Sequence, residues 1–85
     1  MMYNTCKLSE LPLHQTAVVE QMERRDPVTA RLIQLGVING ATVTPLFKSM
    51  LGDPVAYQVN DCVIALRRSE CSGVTVRTED DGHAV

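Results

Sequence analysis

Three cysteines, two histidines and ten acidic residues are the groups in this 85-residue chain with the types for site chemistry, and their spacing sets them apart. Cys6, Cys62 and Cys71 are far from one another and form no Cys-x-x-Cys, so neither a zinc knuckle nor a thioredoxin-type pair is expected. The opening residues lack a basic start, an apolar stretch and a small-residue cleavage site, so no secretory signal is read. Cytoplasmic, reduced thiols follow, each behaving as a small hydrophobe where buried. Nucleophilic catalysis needs a base held against its nucleophile. His14 falls in a turn and His83 in a tail, so no enzyme is expected. His83 does lie beside Glu79, Asp80 and Asp81, ligand types that iron accepts together. That segment has no scaffold to fix their geometry, so no metal site and no cofactor is expected.

The elements that would have to position any site are short. One domain spans residues 1–77, and an acidic tail, 78–85, is expected to be disordered because it shows no packing face. A chain of this size buries roughly 60% of its unfolded surface. With 45% apolar residues it has enough for one core. No apolar run approaches the roughly 20 residues of a membrane helix. Residues 1–78 hold eight basic and seven acidic groups, which leaves no basic field for nucleic acid. The pairs Arg24-Arg25 and Arg67-Arg68 are read as solvated strand ends.

Residues 1–15 are read as a strandless lead-in whose leucines lie on the core edge, with Pro12 preventing a regular helix. A first strand is expected at 16–22. Asp26-Pro27 is a helix start, with aspartate as cap and proline at the first helical position. Val28, Leu32 and Leu35 then form one apolar stripe. Gly36 supplies the left-handed residue that stops the helix, with Val37 folding back onto Leu32. Asn39-Gly40 is a tight turn that launches a strand at 42–48, with Val43, Pro45 and Phe47 on one face. Pro45 donates no ladder bond, so that strand is an edge there or carries a bulge. A loop at 49–54 precedes a strand at 55–59, an Asn60-Asp61 hairpin turn, and a strand at 62–67. One helical turn at 69–71 and a last strand at 74–76 complete the series.

The ordered set Leu8-x-x-Leu11, Arg31-Leu32, Leu35-Gly36-Val37, Gly40 with Val43, Gly52-Asp53-Pro54, Tyr57-x-Val59, Ile64-Ala65-Leu66-Arg67 and Val74-x-Val76 resembles the FeoA family. Leu32, Leu35, Gly36 and Gly40 are its structural motif here. The resemblance implies a mainly β, SH3-like barrel of about five strands with one helix inserted after the first strand. His14-Gln15 stands where a turn glycine is usual, and Asn39 where proline is common. The resemblance further implies a non-enzymatic accessory of ferrous iron uptake that docks on the cytoplasmic part of the FeoB-type transporter. No nucleic acid, no direct membrane insertion and no cofactor are implied.

The glycines are explained by backbone angles, and nucleotide cradles need a strand–glycine loop–helix order that is absent. The candidate partner-binding residues are therefore Met50, Leu51, Gly52, Asp53 and Pro54, where two large apolar side chains crown a hairpin. Two alternatives stand beside this reading. One is a metal-sensing module resembling the C-terminal domain of DtxR-type repressors; the other is a generic SH3-like interaction domain. A polyproline groove fits poorly, since such grooves are aromatic-lined and the chain has no Trp, two Tyr and one Phe.

Overall fold

A computed structural model describes residues 2–80 of the chain. The order is β1 (Met2–Lys7), a 3-10 turn (Leu8–Glu10), β2 (Ala17–Met22), α1 (Val28–Gln34), β3 (Thr42–Lys48), β4 (Val55–Val59), β5 (Cys62–Leu66), α2 (Arg68–Cys71) and β6 (Val74–Asp80). The six strands form one sheet in the order β1-β6-β2-β3-β4-β5, with every neighbouring pair antiparallel.

Two expectations are corrected together. The lead-in contains a strand, β1, and β6 runs to Asp80, three residues past the expected boundary at 77. Each of these strands is the other's partner: Cys6 lies opposite Val76 and Asn4 opposite Thr78. Thr78 is buried, and its hydroxyl donates to the Asn4 carbonyl at 3.4 Å. Neither β1 nor the end of β6 past Val76 shows apolar alternation, so only the long-range pairing makes them strands. The rest of the expected tail, 81–85, lies outside the described residues.

The core is built from both sides of the strand order. Leu8 and Leu11 of the lead-in, Val19 of β2, Leu32 of α1, Val43 of β3, Tyr57 and Val59 of β4, Leu66 of β5 and Val74 and Val76 of β6 are all buried. Each large apolar side chain removed from water contributes about 1.5–3 kcal/mol. The 7-residue helix α1 is too short to persist alone and is held by Leu32, with Val28 and Leu35 packed at the core margin.

The ends of α1 follow different rules from one another. At its C-terminus the Val37 amide donates to the Leu32 carbonyl at 2.9 Å and the Gly36 amide to Ile33 at 3.0 Å. This is the Schellman pair that the Leu-Gly-Val run predicts, with Gly36 at φ +95°. At the N-terminus Asp26 is not the cap. Pro27 occupies that position, and the Asp26 carboxylate accepts from Arg24 Nε at 3.2 Å. Thr29 ties down the start instead: its hydroxyl accepts the Arg25 amide at 2.6 Å and donates to the Glu23 carbonyl at 3.2 Å.

Next, Ile38-Asn39-Gly40-Ala41 closes a turn, with the Ala41 amide on the Ile38 carbonyl at 2.9 Å and Gly40 at φ +91°. His14 is also left-handed, at φ +72°, and takes the conformation a glycine would serve in that place. In β3 the register shifts between Pro45 and Phe47, the bulge that the missing proline donor predicts. The bulge also breaks the alternation. Val43 and Pro45 point inward, but Phe47, expected on their face, is 60% exposed.

Two buried polar groups meet inside the barrel. Cys71 lies against Tyr57, whose hydroxyl also donates to the Leu8 carbonyl at 3.5 Å. Burial pushes the Cys71 thiol up to about 11 and moves the Tyr57 hydroxyl up as well.

Two consequences can be measured. Gly36→Ala should cost about 1 kcal/mol in urea unfolding, from backbone strain alone. An added Cβ there would meet Val59 Cγ1 at an ordinary 3.7 Å. The second concerns alkali. The unfolded chain loses the Cys71 proton near its ordinary value of 9.0 while the folded chain keeps it to about 11. The stabilisation is thus complete below pH 9.0 and declines as pH rises towards about 11. The loss should be on the order of 2 kcal/mol, and Cys71→Ala should reduce it, leaving the part above pH 10.0 that the raised Tyr57 hydroxyl contributes.

Candidate protein-contact site

The β3–β4 hairpin ends in a short loop made by its own backbone. The Ser49 amide donates to the Pro54 carbonyl at 3.0 Å, and the Gly52 amide returns to the Ser49 carbonyl at 2.8 Å. Gly52 takes φ +87°, which an L side chain rarely adopts. The two residues lifted out between these bonds are Met50 and Leu51. They are fully exposed, at 101% and 94%. Phe47, turned outward by the bulge, adds a third large apolar side chain to the same hairpin.

The remaining three candidates do different work. Gly52, Asp53 and Pro54 are half-buried. The Asp53 Oδ1 accepts the Arg68 amide at 2.8 Å, at the first residue of α2. Carboxylates satisfy such unpaired first-turn amides well. Beside it the Glu70 carboxylate accepts the Arg67 amide at 2.9 Å and pairs with Arg31 of α1. The loop is thereby tied to α2, and α2 to α1. Of the five residues, two protrude and three hold the turn.

A second apolar surface lies between β2, α1 and the Asn39-Gly40 turn. Gln21, Met22, Thr29, Ile33, Ile38 and Asn39 line an open groove of about 500 Å³. Ile33 is 51% and Ile38 47% exposed. Sequence reasoning missed both, although one signal was available: Ile33 falls off the Val28, Leu32, Leu35 stripe.

Chemistry beyond apolar contact is sparse. Arg24 pairs with Asp26, and Arg25 with Glu23 at 2.6 Å. The Arg25 hydrogen bond holds the Glu23 carboxyl below its ordinary value. Arg25 also donates to the Ser72 hydroxyl at 2.9 Å at the end of α2, so it is more than a solvated strand end, while the Arg24 side chain stays solvated. Among the described residues no three His, Cys, Asp or Glu side chains come together as metal ligands. Of the acidic tail cluster, Asp81 and His83 lie outside the described residues. His14 is exposed in its turn. The buried Cys71 stays a thiol at neutral pH and is no nucleophile. Among the described residues no helix is long and apolar enough to cross a membrane.

Six antiparallel strands with short helices make this a small, mainly β domain. The FeoA domain model matches residues 6–78, and the chain belongs to the FeoA family, SH3-like accessory proteins of ferrous iron transport. It is 33% identical over 70 residues to an Fe(2+) transport protein A/Fe(2+) transporter FeoB fusion protein of Porphyromonas gingivalis, covering 82% of this chain. The chain spans 8% of that protein's length. The FeoA protein of Chlorobium tepidum superposes with a TM-score of 0.81 at 36% identity, over 92% of this chain and 76% of that one. Stenotrophomonas maltophilia FeoA, solved in complex with zinc and described as an SH3-domain protein, superposes with a TM-score of 0.72 at 40% identity, over 84% and 88%. The T. acidophilum IdeR structure, at 18% identity, shares the fold alone.

The two roles within the loop separate by mutation. Asp53→Ala should destabilise the protein by about 1 kcal/mol through the lost cap. Met50→Ser with Leu51→Ser should change stability by less than about 0.5 kcal/mol, because exposed side chains away from special features contribute little. Chemical denaturation of the three proteins side by side checks both.

Proposed function

We propose that this protein docks on the cytoplasmic part of a FeoB-type transporter through the Met50–Leu51 tip and thereby modulates ferrous iron uptake. The observation that carries the reading is the Porphyromonas gingivalis relative, in which the matching domain and FeoB are one chain. Fusion places the two at high effective concentration, which suits partners that act while bound. The tip supplies the surface chemistry such docking needs. Two unbranched or flexible apolar side chains stand clear of the domain, and methionine adapts to the shape of its partner. Their loop is fixed at its base by the Asp53 bond to α2, so little order remains to be gained on binding.

A metal-sensing role has less support, because the described residues bring no ligand set together. The resemblance to the DtxR-type C-terminal domain is a likeness of fold.

Deletion of the gene should lower ferrous iron uptake, and the wild-type gene should restore it. Met50→Ser with Leu51→Ser should fail to restore it. In calorimetry against the isolated cytoplasmic part of the transporter, the double variant should bind at least tenfold more weakly, as loss of a central apolar anchor predicts. Unchanged uptake on deletion, with transporter levels normal, contradicts the reading.

A further inference from the structure

The strand order leaves two edges, and they are unlike. β1 exposes Asn4, Thr5 and Lys7, the polar and charged residues that protect an edge. β5 reads Cys-Val-Ile-Ala-Leu and carries neither proline nor charge. Among the described residues it pairs with β4 on one side only. Cys62, Val63 and Ala65 are exposed, Val63 at 60%.

Which backbone groups are unpaired follows from the hairpin. Asn60 and Asp61 are its two-residue turn, so the flanking pair Val59 and Cys62 exchanges hydrogen bonds. Alternation then directs the amides and carbonyls of Cys62, Ile64 and Leu66 to β4. Those of Val63 and Ala65 point outward. An antiparallel strand completes them when its own outward residues stand opposite.

We propose that β5 is a self-association edge, which pairs antiparallel with β5 of a second copy about a two-fold axis at Ile64. In this register Val63 faces the second copy's Ala65 and Ala65 its Val63, so the outward groups meet and four backbone hydrogen bonds form. Ile64 faces Ile64. The residues just beyond the strand select this register over its neighbours. Asp61 falls opposite Arg67 of the second copy, and Arg67 opposite Asp61, giving two cross-strand charge pairs. A slip of two residues keeps backbone pairing possible but loses both charge pairs. Within the chain, Asp61 and Arg67 are exposed and join no ion pair among the described residues. The contact is short, about 17 Å of strand, so the dimer is weak and concentration-dependent. The tip lies on the other hairpin, so this surface is distinct from the transporter contact.

Sedimentation equilibrium of the whole chain over rising concentration tests the proposal. The wild type should pass from monomer towards dimer. Asp61→Arg or Arg67→Asp places like charges opposite each other twice and should weaken the dimer roughly tenfold. Asp61→Arg combined with Arg67→Asp should restore it. Met50→Ser with Leu51→Ser should leave it unchanged. A protein that stays monomeric at the highest soluble concentration overturns the proposal. So does a dimer indifferent to the single reversals, one not restored by the double reversal, or one lost with the tip substitutions.

Discussion

The clasp between Val19 and the turn that launches β3 holds the two halves of this fold together. The Gly40 amide donates to the Val19 carbonyl at 2.7 Å, and the Val19 amide to the Ala41 carbonyl at 2.9 Å. β2 and β3 otherwise share a register of only two residue pairs, Ala17 with Val43 and Val18 with Thr42. On one side of this junction lie β1 and β6, and on the other β4 and β5. The two glycines matter through that junction. Gly36 ends α1 one turn after Leu32 has entered the core, and Gly40 turns the chain so that its amide reaches β2. Their freedom of φ lets a short helix fill the crossover without leaving backbone donors unpaired.

The projecting tip depends on a chain of weaker ties. Asp53 satisfies a first-turn amide of α2, Glu70 satisfies the Arg67 amide and pairs with Arg31, and Arg25 reaches Ser72. Exposed ion pairs of this kind contribute little to stability one at a time. Together they fix where α2 sits, and α2 fixes the base of the loop. Met50 and Leu51 are thus exposed on a braced turn, which lowers the ordering cost of any contact they make.

A sheet with open edges must manage both of them. β1 does so with polar side chains and Lys7, and β5 does not. The bulge in β3 also carries a surface consequence. A donor missing at Pro45 shifts the register by one residue, and the shift turns Phe47 from core to solvent. One proline therefore decides how apolar the hairpin surface is.

Features set by neighbouring residues were legible in the sequence alone. The Leu32–Gly36–Val37 helix stop, the Asn39-Gly40 and Asn60-Asp61 turns, β3, β4 and the exposure of Met50 and Leu51 each depend on φ preference or side-chain period over a few positions. The motif they compose also identified the family. What the sequence did not show were features that need a partner remote in the chain. β1 and the end of β6 became strands by pairing across residues such as Asn4 and Thr78, 74 positions apart. Asp53 found its partner at Arg68 and not in its own turn, and Asp26 lost the cap position to Pro27 and Thr29. Ile33 and Ile38 became a groove only when α1 was laid beside β2. The sequence determined where the chain turns, because φ preferences act locally. The tertiary structure decided which polar groups and edges are satisfied, because a hydrogen bond needs its acceptor in place and only the assembled sheet provides it.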